Sequence, residues 1–117
     1  MEIKPVQPFE PPYYTVVFTS VKYPEVYESG YGDAAALMNE LVKDVPGYLG
    51  HENATDPGGL SITVGYFRDE EAIKAWRQNM EHQRVRKQGR AEWYDSYTCH
   101  VAKVERSYGF RREAAEN

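Results

Sequence analysis

An aromatic, an amide and an imidazole side chain that could do chemistry together lie close to one another within residues 69–89 of the sequence. Trp76, Asn79 and His82 follow one another there at intervals of three residues. The unperturbed pKa of histidine, about 6.5, would let His82 act as a general base at neutral pH. The amide of Asn79 could donate a hydrogen bond to the enolate oxygen that proton removal creates. The three residues are therefore candidates for an acid–base site beside a flat aromatic side chain.

Each of the three residues also has a purely structural interpretation. A lone tryptophan such as Trp76, on the apolar face of a helix, is more often part of the core, although a pocket wall is packed as well. Charged residues follow His82, so it could be a solvated helix histidine, and Asn79 could be a partly exposed amide. Both interpretations stay open at the level of the sequence.

Arg90, Trp93 and Tyr94 follow this stretch, where the chain turns into its last predicted strand. Arg90 could bind an anion or form an ion pair with a nearby glutamate. The two aromatic side chains could form an interface or a pocket lid.

Metal and nucleotide chemistry are not indicated. The histidines His51, His82 and His100 lack the spacing of a metal motif, and no carboxylate or cysteine completes one. The sequence also lacks a phosphate loop, a dinucleotide fingerprint and a nucleophile elbow. We therefore expect no metal and no nucleotide cofactor.

One continuous helix is predicted over residues 69–89. Asp69 can cap its first turn and Gly89 can end it. The face expected to pack inward consists of Ala72, Ile73, Trp76, Met80 and Gln83, and the polar stripe beside it consists of Asn79, His82 and Arg86. Such a helix would seal a core and line the edge of a pocket.

The remaining pattern predicts four strands and one further helix. The strands are expected at residues 13–20, 48–54 and 60–67 and within residues 92–108, and the other helix runs from an Asp33 cap to Pro46. This order is the split βαβ pattern, so we predict an α+β, ferredoxin-like (βαββαβ) domain. Its four-stranded antiparallel sheet would carry both helices on one face.

The chain of 117 residues is expected to form one domain. Residues 1–12 contain four prolines and predict an extended arm, residues 13–110 form the domain, and the tail at residues 111–117 is expected to fray. The net charge of −4 argues against a nucleic-acid partner. The lone Cys99 and the lack of a long apolar run argue for a cytoplasmic protein with no membrane segment.

Apolar side chains occupy both faces of the predicted first and third strands. The face away from the helices would therefore expose a large apolar surface in a monomer. We expect a homodimer that buries the two sheets against each other.

The sequence resembles the antibiotic biosynthesis monooxygenase family from about residue 13 to residue 110. The resemblance is carried by YYTVVFTS, SGYGDAAALMNELVKDVPGYLGHE, ITVGYFRDEEAIKAWRQNMEH and GRAEWYDSYTCHVAKVERSYGF. Its most specific part is the succession of AIKAW, EH, GR, WY and KVERSY. The resemblance implies a dimeric α/β barrel and a pocket lined by Trp76. The best-known members oxidise polycyclic aromatic phenols with dioxygen, without metal or flavin.

The resemblance thus implies a monooxygenase acting on a small aromatic phenolic or enolisable molecule, with dioxygen and no cofactor. His82, Asn79 and Trp76 would be catalytic, and the residues expected to bind the substrate are Tyr66, Met80, Arg90, Trp93 and Tyr94.

Two alternatives remain. One is a haem-binding or haem-degrading enzyme with His82 as axial ligand, although haem-degrading relatives carry an asparagine on the first strand, where this chain has Thr15, Thr19 and Ser20. The other is a dimer that binds a small ligand without turnover.

Overall fold

The computed structural model of the protein describes residues 4–26 and 30–112. Its elements are β1 at Tyr13–Lys22, α1 at Tyr31–Val42, β2 at Tyr48–Thr55, β3 at Leu60–Phe67, α2 at Glu70–Gln78, α3 at Met80–Gln88, a π-helical turn at Gly89–Trp93, and β4 at Tyr94–Val104. The four strands form one antiparallel sheet in the order β2-β3-β1-β4. The predicted ferredoxin-like α+β fold is confirmed, with β2 and β4 at the two edges.

The strand register separates the two faces of the sheet. Val16 on β1 lies opposite Gly65 on β3 and Val101 on β4, so these residues share one face. Val16 packs in a cluster with buried Phe67 of β3 and buried Ala72 of α2. This face is therefore the one that the helices cover.

A second cluster anchors the other end of the helical layer. Trp93 is 1% exposed and packs with Val26, with Ala34 of α1 and with Val85 of α3. Because Trp93 is enclosed by the core, the expectation that it forms a pocket lid is not met.

The turn between α1 and β2 fixes α2 against the sheet. Gly47 has a φ of 91°, and a Cβ atom at this position would stand 2.8 Å from the Cβ of Ala72. Only glycine allows both this conformation and this approach. The turn therefore sets the position of the helix that carries Trp76.

The single helix predicted over residues 69–89 is wrong, because the chain breaks at Asn79. Asn79 has φ −57° and ψ 127°, which is outside the helical region. Its backbone N–H donates to the carbonyl of Trp76 at 3.1 Å and ends α2, while its side-chain Oδ1 accepts from the backbone N–H of His82 at 3.0 Å and begins α3. Asparagine is among the best N-cap residues, so the break has a local cause.

Of the three predicted helix ends at Asp69, Gly89 and Asp33, one is confirmed and two are wrong. Asp69 caps α2 as predicted, since its Oδ1 accepts from the backbone N–H of Ala72 at 2.8 Å. Gly89 does not end the helical run, because its φ of −59° and ψ of −45° continue it into the π-helical turn. Asp33 is not the cap of α1 either, since Gly30 occupies that position and Asp33 lies in the first turn.

Residues 4–12 form neither helix nor strand, and they contact the folded domain at several points. The backbone N–H of Val6 donates to the carboxylate of Glu52 at 3.0 Å, and the hydroxyl of Ser107 donates to the carbonyl of Phe9 at 3.3 Å. The arm therefore lies along the domain that carries it. Residues 1–3 of the arm, residues 27–29 of the loop before α1 and residues 113–117 of the predicted frayed tail lie outside the described residues.

The face of the sheet away from the helices carries apolar side chains. Leu60 and Ile62 of β3 are each 42% exposed there. Val17 of β1 lies directly opposite Val64 of β3 on the same face. Within the part of the chain that the structure describes, no helix is both long and apolar enough to cross a membrane.

Candidate active site

The break at Asn79 turns His82 back onto Trp76. The two rings are stacked, with their centroids 4.2 Å apart and their planes at 13°. The Nδ1 atom of His82 also lies 2.9 Å from the backbone carbonyl oxygen of Trp76. A straight helix would hold the two side chains about 120° apart around its axis. The expected polar stripe is thus replaced by a compact pair.

The carbonyl contact sets the tautomer of His82. A carbonyl oxygen can only accept, so Nδ1 carries the proton and Nε2 carries the lone pair of the neutral ring. Burial lowers the pKa of His82, and the positive charges of Arg86 and Arg77 lower it further, while the hydrogen bond to the Trp76 carbonyl partly opposes them. The imidazole is therefore neutral at pH 7, with Nε2 available to accept a proton.

Asn79 has a structural task in this arrangement. Its Oδ1 is engaged by the backbone N–H of His82, so the side-chain oxygen serves as the cap of α3. The cap does not use the amide nitrogen, which remains the group that could donate to an anion. Asn79 thus connects the helix break to the position of His82.

Trp76 lies between the hydrophobic core and the ring of His82. Its indole packs against the cluster of Val42, Phe67 and Ala72 and stacks on His82 with its ring. The two sequence interpretations of Trp76, core residue and wall of a site, are therefore compatible.

A group of three aromatic side chains, called here the aromatic wall, lies on the helix-facing side of the sheet and consists of Phe18, Tyr94 and Tyr97. Phe18 follows Val16 on the same face of β1, and its ring centroid lies 5.6 Å from that of Tyr94 and 5.1 Å from that of Tyr97. Tyr94 and Tyr97 lie 5.6 Å from each other. Burial raises the pKa of Tyr94, and a hydrogen bond with Tyr31 contributes in the same direction, so its hydroxyl stays protonated.

Sequence reasoning named Tyr94 but missed Phe18 and Tyr97. The available signal was strand alternation, since Tyr97 and Cys99 were predicted to share one face of the last strand. Arg90, another predicted site residue, reaches this wall, because its guanidinium donates to the Tyr97 hydroxyl at 3.4 Å.

Two predicted substrate-binding residues lie away from this assembly. Tyr66 points to the opposite face of the sheet, where its hydroxyl donates to the carboxylate of Glu52 and its ring contacts Phe9 and Tyr13. The cause is strand alternation, because buried Phe67 occupies the helix side. Met80 is 84% exposed, since it follows the break and no longer continues the apolar face of α2.

A cleft of about 450 Å³ lies along the two helices beside the pair. Its lining is strongly basic and consists of Lys74, Arg77, Gln78, Gln83, Arg86, Lys87 and Arg90. Burial raises the pKa of Cys99 on β4, and the charges of Arg77 and Arg86 partly oppose this rise. Those two guanidinium groups therefore influence both His82 and the helix-facing side of β4.

The other histidines lie elsewhere. His51 on the edge strand β2 is hydrogen-bonded through Nδ1 to the hydroxyl of Tyr48, and burial lowers its pKa, with the charge of Lys43 contributing. His100 is exposed on β4, at the opposite edge of the sheet. In residues 4–26 and 30–112, no three His, Cys, Asp or Glu side chains converge as metal ligands would.

Comparisons with known proteins agree with this architecture. The family profile described as "Antibiotic biosynthesis monooxygenase" matches residues 15–88. The uncharacterized protein YqjZ of Bacillus subtilis is 45% identical over 102 residues, which cover 87% of this chain and 88% of YqjZ.

Two solved structures illustrate the shared fold. SnoaB, a cofactor-independent oxygenase from Streptomyces nogalater, superposes with a TM-score of 0.68 at 11% identity, over 81% of this chain and 95% of SnoaB. PA3566 from Pseudomonas aeruginosa gives a TM-score of 0.66 at 15% identity, over 84% of this chain and 97% of PA3566. Since the profile matches more than half of the sequence and YqjZ is similar over most of both chains, the protein belongs to the antibiotic biosynthesis monooxygenase family.

Proposed function

We propose that this protein is a cofactor-independent monooxygenase that oxidises an aromatic phenolic or enolisable small molecule with dioxygen. The observation that carries the proposal is the orientation of His82, whose Nδ1 is held by the Trp76 carbonyl and whose Nε2 has the lone pair of a general base. Family membership and the likeness in fold to SnoaB, itself a cofactor-independent oxygenase, support the same reaction class.

The reaction begins with removal of an acidic C–H proton by Nε2 of His82. The carbanion is delocalised onto the phenolic or enolic oxygen of the substrate, where the amide nitrogen of Asn79 is the proposed hydrogen-bond donor. The aromatic wall of Phe18, Tyr94 and Tyr97 would hold the flat ring while it reacts.

The substrate supplies the electrons that dioxygen requires. The carbanion reduces dioxygen and forms a C–O bond, which gives a hydroperoxide after protonation. Loss of water from the hydroperoxide then leaves a ketone. A CH₂ group and O₂ thus become a C=O group and H₂O, and no external reductant takes part.

We propose that the active form is a homodimer. The support is the apolar face away from the helices, where Leu60 and Ile62 are partly exposed. Burying this face against a second copy would remove an exposed apolar surface and leave the helix-covered site of each subunit accessible.

Oxygen uptake across a panel of anthrones, quinols and flavonoids tests the proposed reaction. We expect uptake with at least one compound and a loss of about 100-fold or more in His82→Gln. Arg84→Gln is the matched control, because Arg84 is an exposed residue of α3 that pairs with Glu81. Binding of these compounds without any oxygen uptake would instead favour the non-catalytic binding protein.

Haem binding is the second candidate, and one observation favours it. A histidine whose Nδ1 donates to a backbone carbonyl presents Nε2, the nitrogen that an axial ligand uses. Titration with haemin distinguishes the two functions. A Soret shift that disappears in His82→Ala would replace the proposed oxygenase with a haem protein, whereas no shift supports the cofactor-independent reaction.

A further inference from the structure

The basic cleft beside His82 concentrates positive charge in a chain that is acidic as a whole. The sequence has 14 lysines and arginines and a net charge of −4. Five of those basic side chains nevertheless line this one cleft of about 450 Å³, namely Lys74, Arg77, Arg86, Lys87 and Arg90. Such a local reversal of charge focuses the electrostatic potential on the cleft and attracts anions there.

In the part of the chain that the structure describes, no acidic side chain forms an ion pair with a cationic side chain of the cleft. Within residues 4–26 and 30–112, the described ion pairs join Lys43 to Glu40 and Arg84 to Glu81, and neither involves the cleft. Mutual repulsion of five cations costs free energy unless an anion balances them. The two other lining residues, Gln78 and Gln83, add amide groups that can donate hydrogen bonds.

The break at Asn79 is what assembles the cleft. On a straight helix of 3.6 residues per turn, Lys74, Arg77 and Gln78 would lie about 180° around the axis from the lining residues of α3. In the folded chain both groups line the same cleft. The guanidinium of Arg86 also donates to the carbonyl of Arg77 at 3.4 Å, across the break.

We propose that this cleft binds the phosphate or carboxylate groups of a small polyanion. Several guanidinium and ammonium groups around one open cleft match the charge and the hydrogen-bonding pattern of such groups. The anion could be a free molecule or the acidic substituent of an aromatic substrate. Anion binding in this cleft does not depend on the proposed oxygenase reaction. Only the second kind of anion, the acidic substituent of a substrate, rests on that proposed function.

Calorimetric titration with inorganic pyrophosphate at constant ionic strength is the primary test. We expect saturable binding with a Kd below about 1 mM. The double variant Arg77→Gln/Lys87→Gln removes one exposed cation from each helix and should weaken binding by about tenfold or more. Circular dichroism should show that this variant remains folded, because both residues are exposed.

The matched control is Arg84→Gln/Lys43→Gln, which removes the same charge from exposed residues outside the cleft. It should keep the affinity within about twofold, allowing for the weaker long-range attraction. Equal weakening in both double variants would overturn the proposal, because general attraction to a charged surface would then explain the binding. The absence of saturable binding up to about 10 mM, or binding of polynucleotides alone, would also overturn it.

A pair of ring compounds distinguishes the two sources of the anion. Anthraquinone-2-carboxylate and 2-(hydroxymethyl)anthraquinone have the same ring system and differ in charge. Preference for the carboxylate, with competition by pyrophosphate, would identify the acidic substituent of an aromatic substrate as the ligand. If the two anthraquinones bind equally well while pyrophosphate still binds, the ligand of the cleft is a free anion. Oxygen uptake is measured separately. If the protein binds pyrophosphate but shows no oxygen uptake, the proposed oxygenase function is rejected and the proposed anion site is retained.

Discussion

The imidazole of His82 lies flat against the indole of Trp76, with 4.2 Å between the ring centroids and 13° between the planes. They are six positions apart in the sequence, so the contact exists only because the chain leaves the helical conformation at Asn79. The same departure orients Nδ1 of His82 toward the Trp76 carbonyl. The Asn79 cap thus positions the proposed base, and the Trp76 carbonyl sets its tautomer.

Removal of the cap should loosen this arrangement. Asn79→Ala loses the hydrogen bond from Oδ1 to the backbone N–H of His82, and we expect a stability loss of about 1 kcal/mol in urea unfolding. Asn79→Asp keeps an N-cap acceptor and should retain most of the stability. If the alanine variant is as stable as the wild type, the cap does not hold the break.

Loss of His82 should affect turnover far more than stability. His82→Ala removes one stacking contact and one hydrogen bond, so we expect it to cost about 1 to 2 kcal/mol. Trp76→Ala also opens the cluster around Phe67 and should cost about 3 kcal/mol. Thermal unfolding compares the two variants. A larger loss of stability in His82→Ala than in Trp76→Ala would contradict the packing described here.

Stability should fall as the pH is lowered below about 6.5, the ordinary pKa of histidine. Burial lowers the pKa of His82 and of His51 in the folded state, so the unfolded chain binds more protons in this window. The stability that the neutral rings provide is therefore complete above about pH 6.5 and is lost as the pH falls through their folded pKa values. Urea unfolding from pH 7.5 to 5 measures this change in the free energy of unfolding. A weaker pH dependence in His82→Gln would assign part of the change to His82.

Sequence patterns predicted the strands better than the site. The limits of β3 at residues 60–67 match the prediction, because β-branched residues and the turn signals on both sides of this strand agree locally. The Asp69 cap was also predictable, since Asp69 directly precedes a helical pattern. Both features depend on neighbouring residues alone.

The break at Asn79 was less visible, although an asparagine followed by Glu81 is itself a helix-start signal. The helical period continues on both sides of it and conceals the interruption. This one error hid both the stacked pair and the basic cleft, whose charges would lie on opposite sides of a straight helix. Tyr66 was misplaced for a different reason, because the more apolar face of β3, which carries Leu60, Ile62, Val64 and Tyr66, points away from the helices. Apolar composition alone therefore indicates the wrong side of this strand.

Tyr66 should be dispensable for turnover. It lies on the face away from the helices, where burial, together with the hydrogen bond to Glu52, raises its pKa to about 12. Tyr66→Phe keeps the contacts with Phe9 and Tyr13 and removes only the hydroxyl, so we expect a stability loss of about 1 kcal/mol. Oxygen uptake on a confirmed substrate should stay within about twofold, whereas Tyr97→Ala should reduce it by about tenfold.

Assembly of the protein should depend on the sheet face away from the helices. Sedimentation should give twice the chain mass of 13.5 kDa, because the face that carries Leu60 and Ile62 is proposed to be buried in a homodimer. Ile62→Glu would place a charge in that apolar interface and should shift the protein to monomers, since an unpaired buried carboxylate is strongly unfavourable.

Leu37→Glu is the control, because Leu37 lies on α1 and is similarly exposed, at 37% against 42% for Ile62. The control should remain dimeric, and both variants should keep the far-ultraviolet spectrum of the folded domain. A wild-type protein that stays monomeric at micromolar concentration would contradict the proposed dimer. A shift to monomers in both variants would place the interface on a different surface.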